Sequence, residues 1–293
     1  MKKIKTSLVL EGGGMRGAYT AGALSWLIDN DIEFDNAYGI STGAVHLCNF
    51  LLKDKTNLFD FSTKYITDDN AIGIKSILRS GHLVDYDYLF NELMIKKVGF
   101  DINRLKKIKT EAKIGIYELA SGKTEYHDVQ KLDVEELKAA CTLPLLGKVA
   151  KLGNREMLDG GITDMIPIEQ AIKDGCNRHI IITTKPGDFV RKPSNKFVVE
   201  VMKLRYKNCP NIGKDYNIRH HNYYIQISSI KNLVEEKKAL YIYPSQSSNV
   251  SRLGGSQEEL AELYELGRKD MEANKKEIFA LLGKKVRKNG NLN

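Results

Sequence analysis

FDNAYGISTGAVHLCNFLL, residues 34–52, reads as a strand that turns sharply into a helix. The strand covers about Phe34 to Ile40 and the helix runs from Thr42 to about Leu52. At the junction stands the pentapeptide Gly39-Ile40-Ser41-Thr42-Gly43, a G-x-S-x-G pattern. By composition alone about one chain in ten of this length would contain such a pattern, so its placement carries the reading. A tight strand-to-helix turn forces the serine into a strained backbone conformation and leaves its hydroxyl exposed at the sheet's C-terminal edge. Glycines two residues to either side keep the turn free of clashes. The helix start behind the serine presents the Thr42 N–H to a developing oxyanion.

Working outward, Thr6–Leu10 reads as a short buried strand, followed by a glycine-rich turn and a helix from about Arg16 to Asn30. Two successive strand–turn–helix units predict an α/β fold: a mostly parallel central sheet with helices on both faces. Residues 53–110 are richer in charge and aromatics. They are expected to form a helical insertion after the nucleophile helix, with short helices near Asp69–Leu78 and Tyr86–Ile95. Its aromatics (Phe59, Phe61, Tyr65, Tyr86, Tyr88, Phe90) make it a candidate lid or acyl-chain groove, against the plainer reading that they fill a core. Strands are expected at Lys113–Leu119, Thr124–His127, Arg155–Leu158, His179–Thr184 and Ala239–Tyr243. Asp133 with Glu136, and Ser256 with Glu259, spell capping boxes; the second opens a helix expected over 257–282. Residues 1–283 are read as one domain and 284–293 as a basic, disordered tail.

At 293 residues, with 42% hydrophobic and 28% charged residues, the chain matches the composition of a globular protein. The longest apolar runs fall short of a membrane span, and the stretch after Lys5 is too short for a signal peptide. A cytoplasmic protein is therefore expected, with peripheral contact at an anionic membrane surface as a further reading. Cys48, Cys141, Cys176 and Cys209 are scattered and are expected to be reduced thiols; no metal site and no cofactor is predicted. The net charge of +8 concentrates in Arg104–Lys109, Arg191–Lys196 and Lys284–Lys288. No basic stripe interleaved with aromatics supports a nucleic-acid partner; attraction to anionic lipid explains the charge equally well, and a solvated basic surface is the plainest reading of the three.

Two further segments bear on chemistry. Glu11-Gly12-Gly13-Gly14-Met15-Arg16-Gly17 follows the first strand, and its free N–H groups can cradle an anion beside Arg16. It also spells a dinucleotide fingerprint. That reading requires an acidic residue near the end of the second strand, where Ser41 stands instead; Asp35 lies at that strand's start. No Lys-Ser or Lys-Thr follows the glycines, which disfavours a nucleotide P-loop. An oxyanion loop fits better. Asp159-Gly160-Gly161 follows a strand, and its glycines let the carboxylate approach another loop closely, as a base for an acyl-transfer serine must.

In order and over nearly the whole chain, Gly12–Gly17, Gly39–Gly43 and Asp159–Gly161 match the pattern of the patatin-like phospholipase family, whose bacterial type the sequence resembles. The segment Ala140–Leu145 with Pro144, the continuation to Ile168, and Tyr243-Pro244-Ser245 before Leu263–Gly267 are similar to the family as well. Thr42 departs from it, since many members carry alanine there. The resemblance implies a three-layer patatin-like fold and a Ser41–Asp159 dyad without histidine. It also implies an oxyanion hole from Gly13, Gly14 and Thr42 with Arg16 nearby, and hydrolysis of lipid esters of the phospholipase A or lysophospholipase type; the sequence shows no calcium-ligand loop, so metal independence is expected.

His220 and His221 follow Asp159 in the order of a conventional triad, but Arg219–Asn222 reads as a polar surface helix. His46 is expected to pack on the elbow helix, and His82, His127 and His179 to be structural or exposed. Two alternatives stand beside a lipid hydrolase: an esterase or thioesterase acting on soluble substrates with the same dyad, and a catalytically weak regulator that binds a nucleotide or partner.

Overall fold

The computed structural model describes residues 4–283; the basic tail lies outside the described residues. In chain order its strands are β1 (Thr6–Leu10), β2 (Asn36–Ile40), β3 (Glu111–Glu118), β4 (Lys123–Asp128), β5 (Ala150–Leu152), β6 (Arg155–Asp159), β7 (Arg178–Ile182) and β8 (Ala239–Ile242). They form one sheet in the order β5-β6-β3-β2-β1-β7-β8, with β4 on β3. The pairs β1–β2, β1–β7, β2–β3 and β7–β8 are parallel; β3–β4, β3–β6 and β5–β6 are antiparallel.

The helices are α1 (Gly17–Asp29), α2 (Thr42–Leu51), α3 (Lys55–Thr63), α4 (Ile74–Ser80), α5 (Val134–Cys141), α6 (Ile168–Lys173), α7 (Lys196–Arg205), α8 (Asn211–Glu235), α9 (Gln257–Ala273) and α10 (Lys275–Leu281). Successive strand residues point to opposite faces, and the two faces bury different helices. Leu8, Leu10, Ile180 and Ile182 pack with Leu24 of α1, Leu47 of α2 and Leu263 of α9. Val9 and Ile181 pack with Ile168 of α6 and Tyr223 and Ile230 of α8. The fold is therefore the expected three-layer α/β arrangement with a mixed, mostly parallel sheet.

The register of β3 positions the site. β4 occupies one edge of β3 from Lys113 to Glu118, so β2 and β6 must share the other edge. Ile40 of β2 pairs with Gly115, and Asp159 of β6 pairs with the next residue, Ile116. A parallel and an antiparallel strand thus meet end to end, which brings Ser41 and Asp159 together although 118 positions separate them in sequence.

The insertion packs into the main core: Leu58, Phe61, Leu89 and Phe90 belong to the same buried cluster as Leu8 and Leu47. Its helices differ in detail from the expected ones. Asp68 accepts the Asn70 N–H in a local turn, Gly73 takes a φ of 116°, and α4 starts only at Ile74. The next helical segment, Tyr88–Lys97, is a π-helix. Both capping boxes form. The final helix breaks at Asn274, whose side-chain amide donates to the Asp270 carbonyl at 2.7 Å. Such local bonds offer the chain an alternative to the helical ladder.

Candidate active site

Ser41 joins β2 to α2 at φ 56° and ψ −130°, a left-handed conformation that a side-chain-bearing residue adopts only under constraint. The constraint is the close approach of neighbouring backbone. A methyl group on Gly39 would stand 2.6 Å from the Gly43 carbonyl oxygen, and one on Gly43 would stand 2.8 Å from that of Glu11. These contacts leave no room for side chains, so the elbow requires glycine on both sides.

Asp159 ends β6 and is 3% exposed; Ser41 is 9% exposed. Both line one small cavity of about 30 Å³, together with Gly12, Gly13, Gly14, Arg16, Leu143 and Gly161. The Asp159 carboxylate accepts the Gly161 N–H at 2.7 Å. Burial raises its pKa above the ordinary carboxylate value. The Ser41 hydroxyl, the Gly161 amide and the charges of Arg219 and Arg252 pull the other way, because each favours the ionised form. Among the described residues no histidine lines this cavity. His46 is buried behind the glycine loop, and burial holds its pKa down at about 4. The rings of His220 and His221 lie against each other, tilted by 40° with 4.0 Å between centres, and neither lines the cavity.

The glycine loop lies across the elbow. Gly14 has a φ of 60°, and a methyl group there would stand 2.2 Å from the Arg252 carbonyl oxygen. That carbonyl accepts the Met15 N–H at 2.9 Å, so the segment around Arg252 clamps the loop from outside. Gly13 donates its N–H to the Thr42 hydroxyl at 3.2 Å. Of the amides expected to face an oxyanion, Gly13 is therefore engaged in this resting geometry. The Thr42 hydroxyl thereby ties loop to elbow. The Gly14 and Thr42 amides have no hydrogen-bond acceptor among the described residues.

Beneath the loop lies a buried ion pair. The Glu11 carboxylate, fully buried, accepts from the Lys185 ammonium and from the Thr184 N–H and hydroxyl at 2.8 and 3.0 Å. Burial lowers the Lys185 pKa to about 8, while Glu11 opposes that shift. For Glu11, burial works against ionisation, but Lys185 and Thr184 outweigh it and hold the carboxyl below its usual value.

Sequence reasoning missed four residues that line the Ser41 cavity: Lys185, Arg191, Arg219 and Arg252. Arg219 was read as part of a surface helix, yet its Nε–H donates to the Gly161 carbonyl at 2.6 Å and braces the Asp-Gly-Gly turn. The phase of α8 carried the signal: Ile212, Gly213, Tyr223, Gln226 and Ile230 are its buried residues, and Arg219 falls on the same stripe at helical spacing.

Two apolar spaces adjoin the site. One, about 180 Å³, is lined by Pro144, Leu145, Ile162, Val198, Met202 and Tyr216, and shares Leu143, Asp159, Gly161, Arg219 and Arg252 with the Ser41 cavity. The other, about 40 Å³, runs from Ser41 into the insertion and is lined by Phe61, Tyr86, Leu89 and Phe90. The insertion's aromatics thus fill core and line a crevice at the same time. Cys48, Cys141 and Cys176 are buried free thiols and Cys209 is half-buried. Among the described residues no group of three or more His, Cys, Asp or Glu side chains is placed to hold a metal. No helix among them is long and apolar enough to cross a membrane.

Residues 209–283 match a domain of unknown function (DUF6363). The chain is 25% identical over 276 residues to the uncharacterized protein YjjU of Escherichia coli K12, covering 90% of this chain and 75% of that one. It is 26% identical over 189 residues to the probable lipid hydrolase 463L of invertebrate iridescent virus 6, covering 58% of this chain and 64% of that one. Among solved structures it is similar to VipD from Legionella pneumophila, with 10% identity and a TM-score of 0.46, over 93% of this chain and 66% of that one. The chain therefore spans slightly less than two thirds of the length of these last two proteins. Residues 8–172, more than half of the chain, match the family model of patatin-like phospholipases, and the chain belongs to that family of lipid ester hydrolases.

Proposed function

We propose that this protein is a serine acyl hydrolase of the phospholipase A or lysophospholipase type, cleaving carboxylic esters of lipids through Ser41 and Asp159. The observation that carries this reading is the convergence of a strained serine and a buried carboxylate on one cavity that, among the described residues, no histidine lines. Asp159 takes the Ser41 proton as the hydroxyl oxygen attacks the ester carbonyl. The tetrahedral oxyanion is met by the Gly14 and Thr42 amides, and by Gly13 once its N–H leaves the Thr42 hydroxyl; each donor contributes about 3–4 kcal/mol. Asp159 then gives the proton to the leaving alcohol. In the second half it accepts a proton from water as the water oxygen attacks the acyl-serine, then returns that proton to the Ser41 oxygen as the acyl–oxygen bond breaks and the fatty acid leaves.

A peripheral membrane role is supported by α7. There Phe197 and Leu204 are 75% and 78% exposed beside Lys196, Lys203 and Arg205, and Val198 and Met202 of the same helix line the larger apolar space. The exposed Ile74 and Leu78 of α4 add a second apolar edge on the insertion.

A fluorophosphonate probe should label Ser41, identified by peptide mass spectrometry, and the label should be absent from Ser41→Ala. A folded wild type that takes no label would favour the regulator reading. Hydrolysis of short-chain esters should rise as they pass their micellar threshold; a flat response would favour the soluble-ester alternative. The pH profile gives a separate check. Since burial raises the Asp159 pKa, the acid limb of kcat/KM should lie above the value of about 3.9 for an exposed aspartate. A limb at or below that value would remove Asp159 as the base.

A further inference from the structure

Five cations line the Ser41 cavity: Arg16, Lys185, Arg191, Arg219 and Arg252. Two carboxylates balance them, Asp159 in the cavity and Glu11 beneath it, and Glu11 is committed to Lys185. None of the four arginines forms an ion pair among the described residues. The Nε groups of Arg16 and Arg191 are buried with no hydrogen-bond partner. The Arg191 guanidinium lies against the faces of Tyr223 and Phe189, its central carbon 4.4 and 5.6 Å from the ring centres. Buried donors are almost always paired, and like charges gathered in a low-dielectric cavity repel each other. The repulsion registers in the arginines themselves. Burial, with the neighbouring arginines adding to it, lowers the pKa of Arg219 to about 10 and also lowers that of Arg191. An anion between these groups would relieve both penalties.

We propose that Arg191, Arg219 and Arg252 form an anion subsite beside Ser41 that selects substrate esters bearing an uncapped phosphate-type group over zwitterionic or neutral ones. This rests on the acyl-hydrolase reading above. All three arginines lie outside residues 8–172, the part matched by the patatin-like model, so they are a feature that the rest of this chain adds to the hydrolase core. Arg219 and Arg252 also line the larger apolar space. An acyl chain lying along Leu145, Ile162 and Met202 would therefore have its anionic head at the arginines and its ester near Ser41. A choline-capped phosphate brings a quaternary ammonium into the same excess of positive charge, and that repulsion is the element that discriminates. Planar guanidinium groups suit phosphate oxygens through paired N–H donors.

The test compares three substrates with one acyl chain: lysophosphatidate, lysophosphatidylcholine and monoacylglycerol. The wild type should favour lysophosphatidate in kcat/KM by at least about tenfold over both others, which corresponds to about 1.4 kcal/mol. Arg191→Gln and Arg252→Gln should each shrink that ratio severalfold, mainly through KM for the phosphorylated ester. A ratio unchanged in both variants, or no preference in the wild type, overturns the subsite. Because the readout is a ratio, a general loss of activity does not imitate it. If none of the three esters is cleaved, the acyl-hydrolase reading fails, and binding decides the subsite by itself. In Ser41→Ala, inorganic phosphate should raise the melting temperature beyond sodium chloride of equal ionic strength, and Arg191→Gln should abolish that rise. Phosphate binding without ester preference would mark a site for the free ion and refute selection of substrate; absence of phosphate binding would refute the site itself.

Discussion

Asp159→Asn should lower kcat for ester hydrolysis by about 10³–10⁴-fold, with Ser41→Ala at the uncatalysed background and the double variant no worse than Ser41→Ala alone. The asparagine is nearly isosteric and can still accept the Gly161 N–H that Asp159 accepts at 2.7 Å, so the turn should survive. What it cannot do is take a proton. Among the described residues no histidine lines the cavity and Lys185 is committed to Glu11, so the loss corresponds to about 4–5.5 kcal/mol of barrier. The stability effect should have the opposite sign. Burial raises the folded-state pKa of Asp159 above its unfolded value, so its contribution to stability is present at low pH and is lost as pH rises through the folded pKa. At neutral pH the ionised carboxylate is therefore a cost that asparagine removes. Asp159→Asn should melt no lower than the wild type at pH 7 and no higher at pH 3. Thermal melts across that range alongside steady-state assays separate the two roles. An inactive variant that melts well below the wild type at neutral pH would make Asp159 a structural residue, and retention of more than a tenth of the activity would require another base.

The elements that hold these two residues differ in how readily the sequence discloses them. β1 and β2 are short apolar runs followed by glycine-rich turns and helices, and such local signals need no knowledge of distant chain. The two capping boxes formed as read for the same reason: each is a four-residue pattern that satisfies its own orphan donors. The meeting of Ser41 with Asp159 depends instead on the register of β3, where one residue decides whether β6 abuts β2. Nothing local to either residue encodes that register, so the pairing entered through family resemblance. Arg219 was mistaken for a different reason. Its neighbours Arg219-His220-His221-Asn222 are polar, and local polarity outweighed the phase set by Tyr223, Gln226 and Ile230 further along the same helix. Arg191 and Arg252 sit outside helices and strands, in segments without periodicity, and no pattern in the sequence distinguishes them from solvated basic residues.

Lys185→Met should cost about 3–5 kcal/mol of stability, a fall in melting temperature on the order of 10 °C, while Glu11→Gln with Lys185→Met should recover most of it. Glu11 is fully buried and the Lys185 side chain is 6% exposed, so removing the cation strands a carboxylate in a dry site with only the two donors of Thr184. The pair itself need contribute little; the damage comes from the partner left behind. The pH dependence distinguishes this from simple repacking. In the wild type the folded-state pKa of Glu11 is lowered, so its stabilisation is present above the unfolded carboxyl value of about 4.3 and is lost as pH falls through the folded value. Without Lys185 burial dominates, the folded pKa moves above the unfolded one, and stability is instead lost as pH rises through it. The gap between variant and wild type should therefore be small near pH 3 and widen toward pH 7. A gap independent of pH would assign the loss to packing. Because the Glu11 carboxylate and the Gly12 carbonyl share the Thr184 hydroxyl, at 3.0 and 3.3 Å, the stranded charge should also loosen the glycine loop. The single variant should accordingly lose kcat more than it gains KM, and the double variant should regain both stability and turnover.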